Sequence, residues 1–330
     1  MEAATPARKG GARSAFGRAA SSRVPDRALR WVLTGLAGLV LALIAYFFAR
    51  LYIEANPAFN AFGHVGFVFD NEWNVSAGRF GAWSLIVGTL ITSAVALIIG
   101  IPIAVAAAVF LTELCPQRLR GALGSLIELL AAVPSVVYGL WGVFVLIPRL
   151  RPAEQWFSDT FAFLPFVGGN VAGPNYFIGG LILAIMIIPI VSSISREVMA
   201  TVPVENKEAA LALGATRWEM IRMAVIPYSR AGITGAAMLG LGRAIGETIA
   251  VTLVIGNSPQ IGHALFDQGY TLAAVVANEF GEAASDPIHR AALIAAGLVL
   301  FALTLLVNLI ARFYIVRTER GQRVARGDRS

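Results

Sequence analysis

Long runs of apolar residues dominate the chain, and short segments rich in Arg, Gly and Pro separate them. A helix that crosses the hydrocarbon core of a bilayer needs about 20 mostly apolar residues and satisfies its own backbone hydrogen bonds. By this rule the pattern predicts six transmembrane helices, at residues 31–53, 83–112, 122–148, 176–195, 232–256 and 291–316. Six spans would place both termini on one side of the membrane.

The composition agrees with a membrane protein and excludes several other classes. The residues are 57% hydrophobic and only 14% charged, which differs from the usual mix of a soluble domain. The net charge of +6 does not indicate nucleic-acid binding, because the basic residues flank the apolar runs rather than forming one patch with aromatics. The single cysteine, Cys115, excludes an internal disulfide, and no Cys/His cluster has zinc spacing.

The distribution of Arg and Lys predicts the orientation. Basic residues concentrate in 1–30, 113–121, 196–230 and the C-terminus, so the positive-inside rule places these segments in the cytoplasm. The predicted organisation is a basic, disordered cytoplasmic tail (1–30), a first span (31–53), an extracytoplasmic loop (54–82), a core (83–316) and a cytoplasmic C-terminal tail (317–330).

The cytoplasmic connection 197–227 has the pattern of a helical hairpin. Good helix formers occupy 205–213, Gly214 can break the helix in a left-handed conformation, and Thr216 can cap a second helix together with Glu219. Charges and Trp218 on such a protrusion suit a groove on a soluble partner. The alternative is an ordinary capped hairpin that only links two spans.

This connection resembles the EAA loop of ABC importer permeases, through Glu208-Ala209-Ala210, Gly214 and Ile226-Pro227. The resemblance implies an all-α membrane protein with the type I (MetI-like) permease fold, in which a short coupling helix docks on a separate ATPase subunit. The residues expected in ATPase coupling are Glu208, Ala209, Ala210, Gly214, Arg217, Trp218 and Pro227.

The chain lacks a site for ATP hydrolysis of the P-loop kind. Such a loop needs a lysine after its second glycine to bind the terminal phosphates. The two lysines do not qualify, because Gly10 follows Lys9 and Glu208 follows Lys207. We therefore expect no enzyme activity and no cofactor in this chain, and we expect ATP and Mg²⁺ on a partner ATPase.

Three ionisable residues, Glu128, Arg243 and Glu247, fall at membrane depth, where an Arg or Asp costs about 2.5 to 3.5 kcal/mol on insertion scales. Arg243 and Glu247 are four residues apart, hence predicted neighbours on one helix face. An oxyanion could displace Glu247 from the Arg243 guanidinium and later be released. Alternatively the pair only locks the helix, and Glu128 only caps or hydrogen-bonds within the bundle.

Around these charges the segments GLGRAIGET (240–248) and IELLAAVPSVVYG (127–139) resemble phosphate importer permeases of the PstC type. This resemblance implies a phosphate pathway that includes Arg243, Glu247, Glu128 and Ser135. It implies a bacterial inner-membrane assembly in lipid, with a homologous PstA-type permease, two PstB-type ATPase subunits and an extracytoplasmic PstS-type phosphate-binding protein. The alternatives are a similar permease for molybdate or sulfate, an ion-coupled secondary carrier, and a membrane scaffold that does not transport.

Overall fold

The computed structural model describes residues 23–325 except 165, 168–170, 172 and 263, and its description of side chains begins at 28 and ends at 313. Most of the described chain is helical, as expected for an all-α membrane protein. The helices are α1 (Arg23–Phe62), α2 (His64–Phe69), α3 (Trp83–Val109), α4 (Gln117–Ala131), α5 (Ser135–Trp141), α6 (Ile147–Thr160), α7 (Tyr176–Ala200), α8 (Val204–Ala212), α9 (Arg217–Met220), α10 (Ile226–Gly246), α11 (Ile249–Val254), α12 (Leu272–Glu279) and α13 (Pro287–Ala325).

Five helical segments among the described residues are long and apolar enough to cross a membrane. They are Ala28–Phe62, Trp83–Leu114, Ser135–Thr160, Tyr176–Ala200 and Pro287–Phe313. Four of them cover the first, second, fourth and sixth predicted spans. The chain divides into two compact units, of which the first ends at Leu51 and the second begins at Tyr52. In the first unit every residue from 28 to 50 is exposed, as suits a helix surrounded by lipid.

The two predicted tails differ in part from the structure. Residues 1–22 of the N-terminal tail and 326–330 of the C-terminal tail lie outside the described residues. Within the described part, α1 already begins at Arg23 and α13 continues to Ala325. Disorder was therefore the wrong prediction for 23–30, because those residues extend the first apolar helix at its start.

The third predicted span, 122–148, is not one helix. The helix α4 ends at Ala131, α5 begins at Ser135, and the membrane-length helix then continues to Thr160. Pro134 has no N–H to donate to the carbonyl of Leu130, and the Tyr138 hydroxyl donates to that carbonyl instead, at 2.8 Å. Pro134 thus ends α4, and the Tyr138 hydroxyl hydrogen-bonds to the Leu130 carbonyl that the proline cannot bind.

The fifth predicted span, 232–256, is also interrupted. The helix α10 ends at Gly246, Glu247 has an extended backbone (ψ 128°), and the short helix α11 begins at Ile249. One oxygen of the Glu247 carboxylate accepts the Ala250 N–H at 3.4 Å, which favours a new helix start. A single apolar run therefore forms two helices at this point.

Small residues let α3, α7 and α10 pack closely at the centre of the second unit. A Cβ atom added to Gly180 of α7 would lie 2.4 Å from Cβ of Val95 on α3, and one added to Gly240 of α10 would lie 2.8 Å from Val191 on α7. Ile187 is fully buried between these helices. Small-residue contacts of this kind are typical of helix packing in membranes.

The predicted extracytoplasmic loop, 54–82, contains regular structure. It includes the end of α1, the helix α2 and a two-stranded antiparallel hairpin, β1 (Trp73–Asn74) and β2 (Arg79–Phe80). Trp73 Nε1 donates to Glu279 Oε2 at 3.0 Å, and the ring of His289 contacts the same oxygen at 2.9 Å. The β1–β2 hairpin is therefore attached to the end of α12 and the start of α13.

Gly88 tests how tightly the outer loop before α12 packs on α3. A Cβ atom at this position would lie 2.0 Å from the carbonyl oxygen of Tyr270, a backbone atom that cannot move away alone. We expect Gly88→Ala to lower the free energy of unfolding by about 1 to 3 kcal/mol, the usual cost of overpacking. Thermal unfolding of the purified protein in detergent measures the effect. Gly235→Ala is the control, because a Cβ there meets open space; equal unfolding temperatures for the two variants would contradict the prediction.

Candidate functional site

The connection 197–227 forms the predicted hairpin. The helix α8 is followed by Gly214 at φ +84°, and Thr216 caps α9. The Glu219 N–H donates to Thr216 Oγ1 at 3.3 Å, and the Thr216 N–H donates to Glu219 Oε2 at 2.7 Å, which completes a capping box. Donation from the Thr216 N–H, and then from its hydroxyl, lowers the pKa of the Glu219 carboxyl. Local sequence chemistry thus determines the turn.

One side of the hairpin is anchored to the membrane helices by apolar contacts. The partly buried Ala210 of α8 packs on a buried cluster at one end of the long helices. Its members are Ala108, Val109, Met199, Val202, Met220, Ile221 and Val225. These residues belong to the ends of α3 and α7 and to the helix that leads into α10, so the hairpin is packed against three helices.

The other side of the hairpin is accessible. Glu208, Ala209, Gly214 and Arg217 are exposed, and the Trp218 side chain is 63% exposed. Pro227 is partly buried near the start of α10, two residues after the π-helical turn Ile221–Val225. An exposed tryptophan between charged residues is a typical interface anchor, so this side suits a protein partner.

Lys207 of α8 forms an ion pair with Glu113 that sequence reasoning missed. Lys207 Nζ lies 2.6 Å from Glu113 Oε1, and the two side chains are only 20% and 8% exposed. Glu113 belongs to a π-helical turn, Phe110–Leu114, which continues α3 at its C-terminal end. The residues are 94 positions apart, so no local pattern indicates their contact.

Arg243 lies in the last turn of α10 and is exposed in the isolated chain. Its charge acts on the hydroxyl of Tyr138, so the guanidinium is near α5. Among the described residues it forms no ion pair, including none with Glu247. The predicted mutual neutralisation of Arg243 and Glu247 is therefore wrong: α10 ends at Gly246, before Glu247 could return to the same helix face.

Glu128 forms an ion pair with an arginine of another helix, in keeping with the alternative that it hydrogen-bonds within the bundle. Its Oε1 accepts from Arg196 Nη2 of α7 at 2.9 Å, with side chains 59% and 23% exposed respectively. The Arg196 guanidinium lies over Gly124, where an added Cβ would be 2.3 Å from Nη1. A glycine at this position of α4 is what allows the arginine to reach the carboxylate.

Ser135 is the first residue of α5 and is partly buried. Helix α5 packs on α11, with a Cβ at Gly139 falling 2.6 Å from Leu253. Thus Ser135 lies on the helix next to the break at Glu247, whereas Glu128 lies against α7. Within the described chain, the four predicted pathway residues form no hydrogen bond or ion pair with one another.

A metal site has no support in the described side chains, where no group of three or more His, Cys, Asp or Glu could hold an ion. The candidate site consists of charged side chains on separate helices, together with the exposed hairpin. Such an arrangement can bind an anion and contact a protein, and it needs no covalent chemistry.

Comparison with protein families gives one match over most of the chain. Residues 100–320 match the profile of the family described as binding-protein-dependent transport system inner membrane component. The matched region contains the hairpin and all the predicted pathway residues.

Two similar curated proteins carry the name phosphate transport system permease protein PstC. That of Mesorhizobium japonicum is 45% identical over 286 residues, which are 85% of this chain and 87% of the relative. That of Pasteurella multocida is 43% identical over 286 residues, or 85% and 88% of the two chains.

Among solved structures, a crystal structure of a bacterial ABC transporter involved in the import of the acidic polysaccharide alginate has the same fold. The TM-score is 0.59, the sequence identity is 17%, and the match covers 89% of this chain and 98% of the other. At this identity the likeness concerns the fold alone. It agrees with the predicted type I permease architecture.

Proposed function

This chain belongs to the family of binding-protein-dependent transport system inner membrane components, and from that premise we propose that it is the transmembrane permease subunit of an ATP-driven phosphate importer. The observation that carries the proposal is the identity of 43 to 45% with permeases named for phosphate transport, over 85% of the chain. The chain is a transport subunit and not an ATPase.

The protein is a multi-pass inner-membrane component that works with a second permease and ATPase subunits. In finer detail, we propose a complex with a PstA-type permease, two PstB-type ATPase subunits that bind ATP and Mg²⁺, and a PstS-type binding protein. Both termini and the hairpin face the cytoplasm in this proposal. The concentration of basic residues in these segments supports that orientation.

The transport cycle would use the hairpin as a mechanical connection. Closure of the ATPase subunits on ATP displaces the exposed side that holds Glu208, Arg217 and Trp218. The apolar cluster on the other side transmits this displacement to α3, α7 and α10. Packed helices respond as units and not by gradual deformation, so the pathway alternates between inward and outward access.

Arg243 is our candidate for the phosphate contact. Its guanidinium presents several N–H donors in a plane, the geometry that matches two phosphate oxygens. Since Glu247 does not neutralise it, phosphate would bind without first displacing a carboxylate. Glu247 instead accepts an N–H of α11 and would hold the helix break in shape.

Glu128 and Ser135 remain pathway candidates in different roles. We expected an oxyanion to replace a carboxylate at the Arg243 guanidinium. The same exchange would instead take place at Arg196, because the Glu128 carboxylate binds that guanidinium at 2.9 Å. Phosphate could displace Glu128 there and then be released when the carboxylate returns. Ser135 would contribute a hydroxyl donor at the start of α5.

Uptake by the reconstituted complex tests the substrate and the need for an ATPase together. In proteoliposomes that contain the permeases, ATPase subunits and binding protein, we expect ATP-dependent uptake of labelled phosphate. Unlabelled phosphate should compete, whereas sulfate and molybdate in equal amounts should not. Preferred uptake of another oxyanion would refute phosphate as the substrate, and uptake by this chain alone would refute the importer.

A further inference from the structure

The Lys207–Glu113 ion pair connects the helix before the hairpin turn to the second membrane span. Lys207 immediately precedes Glu208-Ala209-Ala210, and Glu113 lies on the π-helical turn that continues α3. The pair differs from the outer Arg79–Glu72 pair, whose side chains are 67% and 43% exposed. An ion pair shielded from water is screened less and fixes geometry more firmly than an exposed one.

Glu113 is mounted on a firmly held segment. The guanidinium of Arg120 donates from Nη2 to the Thr112 carbonyl at 2.6 Å, and the Cys115 N–H donates to the Phe110 carbonyl at 2.7 Å. The Thr112 hydroxyl also donates to the Ala108 carbonyl, one turn earlier in α3. The carboxylate is therefore fixed relative to the second span.

Helix α8, in contrast, has few attachments. It has no fully buried residue, and Ala210 is its member of the apolar cluster. Of the described side chains of α8, Lys207 is the one that hydrogen-bonds to another element. The position of α8 relative to α3 therefore depends on this ion pair to a large extent.

From this arrangement we propose that Lys207 and Glu113 are positioning residues that transmit movement between the ATPase-facing hairpin and the second span. The inference rests on the proposed importer function and names the polar contact that the coupling requires. The pair stays formed through the cycle and makes the hairpin and α3 move together. Loss of either partner leaves the other charge without its counter-ion and lets α8 move independently.

The test measures labelled phosphate taken up per ATP hydrolysed by the complete complex in proteoliposomes. For Lys207→Met and Glu113→Gln we expect this ratio to fall at least fivefold, while the ATPase subunits still co-purify. Lys207→Arg, which keeps the charge, is the matched control and should remain within twofold of wild type. The exchanged pair, Lys207→Glu with Glu113→Lys, should recover at least half of the wild-type ratio. Unchanged ratios in both single variants, or no recovery in the exchanged pair, would overturn the proposal.

A second measurement does not depend on the stability of the single variants. In a Cys115→Ser background, Lys207→Cys and Glu113→Cys are joined by a short bifunctional thiol reagent in the assembled complex. Because these substitutions remove the ion pair, the proposal expects a low ratio of phosphate to ATP before cross-linking and at least half of the ratio of the Cys115→Ser complex after it. Complete inhibition would show that the contact must open, and would refute the proposal. Failure of the wild-type complex to take up phosphate would instead refute the importer function.

Discussion

Arg243→Ala is expected to reduce phosphate uptake by roughly 100-fold or more, since each hydrogen bond to a charged group contributes about 1.5 to 3 kcal/mol and the guanidinium can make two. Among the described residues, Arg243 is in no ion pair, so its removal leaves no carboxylate without a partner. The complex should therefore assemble normally. Initial uptake rates per purified complex measure the effect.

Two further variants make the Arg243 experiment specific. Arg243→Lys keeps the charge but loses the planar pair of donors, so we expect an intermediate loss of about tenfold. Arg149→Ala removes another exposed arginine of a membrane-length helix and should leave uptake within twofold. If Arg243→Ala only lowered the amount of complex while uptake per complex stayed normal, its role would be structural.

Gly214→Pro is expected to release the ATPase subunits from the complex. Gly214 has φ +84°, whereas the proline ring fixes φ near −65°, so the turn between α8 and α9 cannot form. Because Glu208 and Trp218 lie on opposite sides of this turn, the exposed side of the hairpin would be lost. We expect at least tenfold less ATPase to co-purify with the permease, as measured by quantitative gel analysis.

A series of substitutions at Gly214 distinguishes the effect of backbone conformation from the effect of losing the glycine itself. Asparagine tolerates positive φ and should retain ATPase, while valine is strained there by roughly 1 to 2 kcal/mol and should lose part of it. Gly121→Ala is the control, because a Cβ at Gly121 meets open space and the backbone there is helical. Normal ATPase content in Gly214→Pro would exclude the hairpin as the docking element.

The sequence predicted most of the fold because membrane spans follow from the length of an apolar run alone. The hairpin was equally predictable, since Gly214, Thr216 and Glu219 determine their turn through local chemistry. The interruptions of the third and fifth predicted spans were not predicted. Pro134 ends a helix within a run that the 20-residue rule treats as continuous, and the same rule joins α10 and α11 across the break at Glu247.

The charged contacts of the candidate site show why sequence spacing is a weak guide to tertiary pairing. Arg243 and Glu247 are four residues apart and do not pair, because the helix between them ends. Glu128 instead binds Arg196 at a separation of 68 positions, and Lys207 reaches Glu113 across 94. Such partners depend on how α4, α7 and α8 pack, which no local pattern contains.

The helix that leads from the hairpin into α10 contains a π-helical turn, Ile221–Val225. A π turn accommodates one residue more than an α-helical turn, and each residue of an α-helix rotates the chain by about 100°. Because the wider turn takes up its extra residue locally, deleting one residue there would restore regular winding and leave Trp218 facing nearly its present direction. A deletion in the α-helical part of the same segment would instead turn Trp218 by about 100°, so the π turn lets this segment carry one residue more without changing which way the hairpin points.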